Sequence, residues 1–313
     1  MRCFVTGATG HLGHFVVGGL VERRHEVAVL ARPASDLGQF ASGVTLVRGE
    51  LGRADAFAAQ LEAFRPEVTL HLAWSGVNGP GRFDEAEQTG VNLRGSLELL
   101  RAACRAGTRC FVGLGSQAEY GDCDTVLDER TPARPQTAYG RAKLEAARLS
   151  QDLCARAGGR YLWLRLLATY GPRDDERRLI PRVIGQLLDG RQPALTSGRQ
   201  LYDYLYVEDA ARAVIAAATR AEAEGVFVLS SGAAHSVRSI AERIRDLIDP
   251  ALPLGFGEVA DGAEGRGLRG DASRLRKVTG WAPLVELEEG LRRTIEWQRE
   301  RRQSMRHAER GVT

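Results

Sequence analysis

Three glycines near the start of the chain, Gly7, Gly10 and Gly13, constrain the fold more than any other feature. They lie between an apolar run that begins at Arg2-Cys3 and a second run, Phe15-Val16-Val17-Gly18-Gly19-Leu20. This reads as strand, tight turn, helix. A G-x-x-G-x-x-G turn lets backbone N–H groups approach a pyrophosphate, and the start of the helix adds partial positive charge. A bare strand–helix connection would use the same glycines, but their place directly after a strand and opening a helix points to dinucleotide binding.

The residues that follow repeat the pattern. Strands are expected at 26–31, 44–49, 68–73, 109–114 and 161–167, and helices at 54–64, 85–106 and 139–157. Strands alternating with helices through short connections require a parallel sheet covered on both faces, an α/β doubly wound (Rossmann) fold. In such a sheet ligands bind at the carboxyl ends of the strands. The glycine turn, Arg32, Glu50, Ala73 to Gly76 and Ser116 all fall at such ends.

Beyond Leu167 the alternation breaks down. Gly171-Pro172, Pro181, Gly190 to Pro193 and Gly198 interrupt it, helices are expected at 207–220, 236–248 and 286–301, and 250–270 reads as mostly loop. The expected organisation is a dinucleotide-binding domain over residues 1–168, with elements from about 201–232 returning to it. Residues 169–313 form mainly a smaller C-terminal substrate lobe.

A net charge of +3, with acids interspersed among the bases, gives no footprint for nucleic acid. No apolar run approaches the ~18 residues of a membrane span. The five cysteines, Cys3, Cys104, Cys110, Cys123 and Cys154, are odd in number and contain no C-x-x-C, which suits a reduced, cytoplasmic protein without a structural metal.

Tyr139 and Lys143 stand four apart in an expected helix and share one face. Ala142, Ala146, Leu149 and Leu153 form a separate apolar stripe, leaving the pair to point elsewhere. An ammonium beside a phenol favours the phenolate, and a phenol so tuned serves as a general acid or base. Ser116, at the end of a strand, is placed to bond a substrate oxygen. Taken alone, Tyr and Lys four apart are ordinary helix surface; with the glycine turn and Ser116 in this order they read as a catalytic set.

These motifs carry a resemblance. The segments Thr6–Gly13, His71-Leu72-Ala73, Val91–Gly95, Gly115–Gly121, Tyr139 with Lys143, Tyr170-Gly171-Pro172, Leu195–Gln200, Tyr206–Asp209 and Gly280–Pro283 resemble the extended short-chain dehydrogenase/reductases, and within them the nucleotide-sugar epimerase/dehydratase group. The resemblance implies that Tyr139 is the acid/base, that Lys143 tunes it and bonds the nicotinamide ribose, and that Ser116 orients the substrate oxygen, with Gln117 beside it. It implies that Gly7, Gly10 and Gly13 hold the pyrophosphate and that Thr9, His11, Leu12 and Tyr139 also bind the cofactor. Glu50 and Leu51 fall near the adenine, and Leu72, Ala73, Trp74 and Asn92 near the rest of the cofactor. It also implies a homodimer packed through helices near 92–106 and 139–157.

Departures from the family pattern narrow the reaction. Dehydratases of the group carry an Asp-Glu pair where Gln117-Ala118 stands, with Glu119 displaced by one, so dehydration ranks low. Ala168 and Tyr202 stand where many members have Asn and Arg. The substrate's diphosphate contacts then fall to other groups, with Arg182 and Tyr202 as substrate-binding candidates and Arg173, Arg178 and Arg266 as further cations. The strings around Ser116 and Tyr206 are similar to those of 4-ketoreductases of deoxysugar pathways. At the end of the second strand Arg32 replaces the acid that pairs with an NAD ribose, and Ser35 lies nearby; the expected cofactor is NADP, with NAD as the alternative. Trp74 stands where the family usually has a small residue and is expected either to narrow the nicotinamide end or to pack on the adjacent helix. The expected function is NADPH-dependent 4-keto reduction of a nucleotide-linked 6-deoxysugar. The alternatives are a 4-epimerase with retained NAD, a reductase of non-sugar carbonyls and a non-catalytic dinucleotide sensor.

Overall fold

The computed structural model describes residues 1–33, 35, 43–123, 125–261 and 268–310. The first half alternates as the sequence requires: β1 (Arg2–Thr6), α1 (His11–Glu22), β2 (Glu26–Ala31), β3 (Val44–Arg48), α2 (Ala58–Phe64), β4 (Val68–His71), α3 (Arg94–Arg105), β5 (Cys110–Ser116), α4 (Ala138–Arg156) and β6 (Arg160–Leu166). The second half contributes β7 (Ala168–Tyr170), α5 (Leu179–Leu188), β8 (Ala194–Leu195), β9 (Leu201–Tyr206), α6 (Val207–Thr219), β10 (Gly225–Leu229), β11 (Ala234–Ser236), α7 (Val237–Ile248), β12 (Gly255–Phe256), α8 (Ser273–Thr279) and α9 (Leu287–Arg310). The central sheet has seven strands in the order β10-β6-β5-β4-β1-β2-β3. All pairs are parallel, so the fold is the doubly wound α/β architecture.

Because side chains alternate along a strand, each strand feeds two cores. Cys3 and Val5 of β1 join a core with α1 and α6, whereas Phe4 faces Phe57, Leu61 and Leu99 on the opposite side. Phe111 of β5 likewise turns away from Cys110 and Val112 to pack with Trp163, Ala146 and Leu100. Cys3 and Cys110 are buried on these strands, as expected from their apolar neighbours, and burial pushes both thiols up to about 11.

Residues after Leu167 build a smaller sheet, β11-β9-β7, and a second core around Tyr170, Ile184, Leu195, Ile244 and Leu291. From this half β10 returns to the main sheet beside β6, and α6 packs against α1. Several elements differ from the sequence expectation. Helix α5 forms although Pro181 is its third residue, because the first-turn N–H that proline lacks has no intrahelical partner in any case. The helix expected at 85–106 opens with wide π turns over Ala86–Leu93 before becoming α3. The last helix extends to Arg310, well past the expected 301. Among the described residues, no helix is long and apolar enough to cross a membrane.

Candidate active site

At the carboxyl end of the main sheet a cleft of about 1070 Å³ lies between the two lobes. Its floor is the glycine turn. Gly7 has φ of +74°, and a Cβ there would sit 2.7 Å from the backbone nitrogen of Ala73. A Cβ at Gly13 would collide with the carbonyl of Gly7. Only glycine allows this closeness of β1, α1 and the end of β4. Helix α1 begins at Gly10 with no side-chain cap, so its first N–H groups are left to an anion. These residues fit the pyrophosphate of a dinucleotide.

His11 joins this floor to the second lobe. Its Nδ1–H donates to the Pro172 carbonyl at 3.1 Å, and burial lowers the ring's pKa. Leu12, Leu72 and Trp74 also line the cleft. Beneath the β4 end a buried chain of hydrogen bonds fixes the backbone. The Ser96 hydroxyl donates to the Asn92 carbonyl, so His71 Nε2–H donates to Ser96 and Nδ1 accepts from Thr6. Thr6 Oγ1 in turn accepts from the Ala73 N–H at 3.2 Å. Burial holds His71 neutral, with its pKa lowered to about 3.

Ser116, Gln117, Tyr139 and Lys143 converge on one wall. Ser116 ends β5 and its hydroxyl accepts from the Ala118 N–H at 3.1 Å, while its own N–H donates to Glu119 Oε1 at 2.8 Å. Glu119 is fully buried. It also accepts from Trp163 Nε1 at 2.9 Å and pairs with Arg165 Nε at 2.7 Å, so it turns into the protein under the wall rather than into the cleft. It holds the Ser116 turn in place.

Tyr139 and Lys143 share one face of α4, which Thr137 caps by accepting from the Gly140 N–H. Their relation differs from the sequence expectation. Burial raises the Tyr139 pKa, and the group that most lowers it is the Ser116 hydroxyl, with Arg82 and Arg178 adding smaller effects. The Lys143 ammonium is 5.9 Å from the Tyr139 ring centroid. It donates instead to the Leu114 carbonyl at 2.6 Å and sits 3.7 Å from the centroid of the Trp74 ring. Burial brings the lysine itself down to about 7, with Glu119 opposing the fall. Burial outweighs the Ser116 hydroxyl, so the phenol is raised overall.

Arg182 and Tyr202 line the cleft as expected, joined by Arg177 and Arg178. Arg178 pairs with Asp174 at 3.0 Å and Arg177 with Asp175 at 2.6 Å. Arg82, at the end of the loop that begins at Trp74, lines the cleft with its guanidinium carbon 5.7 Å from the Tyr139 ring centroid. Its only sequence signal was a cation in the loop that follows β4. No Asp or Glu is among the described residues lining the cleft, and those residues contain no His/Cys/Asp/Glu group able to hold a metal.

Of the other candidates, Ala73 lies against Gly7 at the cleft floor, and Thr9, Arg32, Glu50, Leu51, Asn92 and Arg173 are not in the cleft lining. Asn92 is buried, with Oδ1 accepting from the Ser75 N–H at 3.0 Å and Nδ2 donating to the Ser75 carbonyl at 3.1 Å, so it pins the loop after β4. Leu51 packs beside the core around Phe57. Arg32 is exposed at the end of β2, where the Arg48 guanidinium reaches its carbonyl at 3.3 Å and the Ser35 N–H donates to the same oxygen. Arg266 lies outside the described residues.

Comparison with known proteins agrees with this geometry. The model of the NAD dependent epimerase/dehydratase family matches residues 3–230. A dTDP-glucose 4,6-dehydratase of Streptomyces griseus is 30% identical over 307 residues, covering 94% of this chain and 92% of its own. A UDP-glucose 4-epimerase from Thermotoga maritima, solved with UDP-glucose, superposes with a TM-score of 0.85 at 25% identity, covering 96% of this chain and 99% of its own. A UDP-glucose 4-epimerase from Thermus thermophilus, solved with NAD, gives 0.85 at 26% identity with the same coverage. The glycine cradle, the Ser116, Tyr139 and Lys143 wall, and the match along most of the chain place this protein in the NAD dependent epimerase/dehydratase family, enzymes of the extended short-chain dehydrogenase/reductase type.

Proposed function

We propose that this enzyme reduces the 4-keto group of a nucleotide-linked 6-deoxysugar, with NADPH as the co-substrate. One observation carries the reading: the described cleft lining holds Ser116, Tyr139 and Lys143 together with Arg82, Arg177, Arg178 and Arg182, and no carboxylate. Eliminating water from a sugar needs an acid and a base at the carbons concerned. Gln117 and Ala118 provide neither, and Glu119 is held by three donors away from the cleft.

Carbonyl reduction asks less of the protein. The reduced nicotinamide, when bound, supplies hydride. Ser116 and Tyr139 hold the carbonyl oxygen between two hydroxyls, and Tyr139 protonates it as it becomes an alkoxide. A raised phenol pKa keeps that proton in place at neutral pH, which suits a group that must donate. Arg82 and Arg182 offer planar donors to a sugar diphosphate, while Arg177 and Arg178 are paired with Asp175 and Asp174. The similar solved enzymes that hold UDP-glucose or NAD support both ligand classes. Arg32 at the end of β2, with Arg48 beside it, favours a 2′-phosphate over a 2′-hydroxyl. A homodimer through α3 and α4, in the cytoplasm, completes the reading.

A panel of 4-keto-6-deoxy nucleotide sugars assayed with NADPH and with NADH tests it. Oxidation of NADPH in proportion to sugar reduced is the expected result. Interconversion of 4-epimers by protein that retains NAD, without consumption of added NADPH, would establish the epimerase instead.

A further inference from the structure

The Trp74–Lys143 stack bears on how firmly the cofactor is held. An ammonium has three N–H donors and no acceptor. In Lys143 one is spent on the Leu114 carbonyl at 2.6 Å. The indole face of Trp74 closes a second direction, 3.7 Å from Nζ to the ring centroid, a contact in which the ring attracts the cation without freeing it for a ligand. The indole is fixed. Its Nε1–H donates to Gln88 Oε1 at 2.8 Å, and Gln88 is fully buried, with its amide also bonded to the carbonyls of Ser75, Gly76 and Gly81. Gln88 belongs to the wide π-helical turns before α3, a distortion often found at functional sites. Lys143 is thus left with a single N–H for whatever occupies the cleft.

We infer that Trp74 weakens the hold of Lys143 on a bound dinucleotide and so makes the cofactor a co-substrate that leaves after each turnover. This rests on the dinucleotide reading above, and not on the identity of the sugar. Without the indole, a second N–H would be available to the ligand.

Two substitutions separate the aromatic face from simple bulk. Trp74→Leu removes the face and the Nε1–H, whereas Trp74→Phe removes the Nε1–H and keeps a face. Thermal melting establishes that both variants are folded. The dissociation rate of NADPH is then read by stopped-flow fluorescence during displacement by excess oxidised cofactor. We expect release from the Leu variant to slow by about tenfold or more, the worth of one added charge-assisted hydrogen bond, and release from the Phe variant to stay within about threefold of the parent. Equal rates in all three proteins, faster release from the Leu variant, or equal slowing in both variants would overturn the inference. Failure of the parent to bind NADPH or NADH would instead sink the dinucleotide reading on which it rests.

Discussion

At the scale of single residues, each group in the wall has one task set by its surroundings. Tyr139→Phe removes the phenolic proton bonded to Ser116 and is expected to lower kcat by about 10²–10⁴ with cofactor affinity nearly unchanged; steady-state kinetics and cofactor titration check both halves. Ser116→Ala removes the hydroxyl that most lowers the phenol, so the pH–rate limb due to Tyr139 should move to higher pH. Lys143, brought to about 7 by burial, gives a second pH effect. A cofactor that prefers the ammonium raises its pKa on binding, so affinity is greatest below about 7 and declines as pH rises through the bound value. Calorimetric titration from about pH 6.5 to about pH 8.5 should show weakening affinity and proton uptake over that window. Ser116, Tyr139 and Lys143 were legible through their order after the glycine turn, with a strand end and a helical period placing them, and the structure brings all three to the cleft. The same spacing did not show that the Lys143 ammonium meets the Leu114 carbonyl and the Trp74 ring. Which donor meets the phenol depends on where Trp74 and the Leu114 carbonyl hold the ammonium, and neither contact has a local signature.

Individual elements depend on contacts that a propensity reading undervalues. The βα turn was legible because its glycines are demanded by backbone contacts between β1, α1 and β4. Gly13→Ala should therefore weaken dinucleotide binding by about a hundredfold or more, measured by fluorescence titration, since the Cβ has nowhere to go but the Gly7 carbonyl. Helix α5 was not legible: Pro181 reads as a breaker until the helix start is known to fall two residues earlier. The π turns before α3 were hidden for a similar reason, since they arise from Gln88 and Asn92 turning inward to bond the loop after β4. Glu119, one residue past the place of the family's acid pair, is the buried partner of Arg165. Glu119→Ala would leave that guanidinium, only 7% exposed, without its counter-charge. A loss of about 3–5 kcal/mol in unfolding free energy is expected from denaturant titration.

Over the whole molecule, two lobes meet across a cationic cleft. His11 bonds Pro172, and Asn78 Nδ2 donates to Asp175 at 3.2 Å, so the dinucleotide floor and the second lobe share contacts on both sides of the cleft. On the far side, buried Asp209 at the start of α6 accepts from the Leu284 and Val285 N–H groups at 2.9 Å and pairs with Arg212, tying the C-terminal segment to the main domain. The doubly wound half was readable because its strands are continuous apolar runs at regular spacing. The second lobe was not, because β7, β8, β11 and β12 are two or three residues long and take their form from pairing across the chain. From that less legible half Arg177, Arg178, Arg182 and Tyr202 line the cleft. The central claim, reduction without dehydration or epimerisation, is tested most directly by one measurement. Purified protein, NADPH and a 4-keto-6-deoxy nucleotide sugar are mixed, and nicotinamide absorbance is followed alongside the sugar product. The account predicts one NADPH oxidised per 4-hydroxyl formed, abolished in Tyr139→Phe; sugar turnover with no NADPH consumed would contradict it.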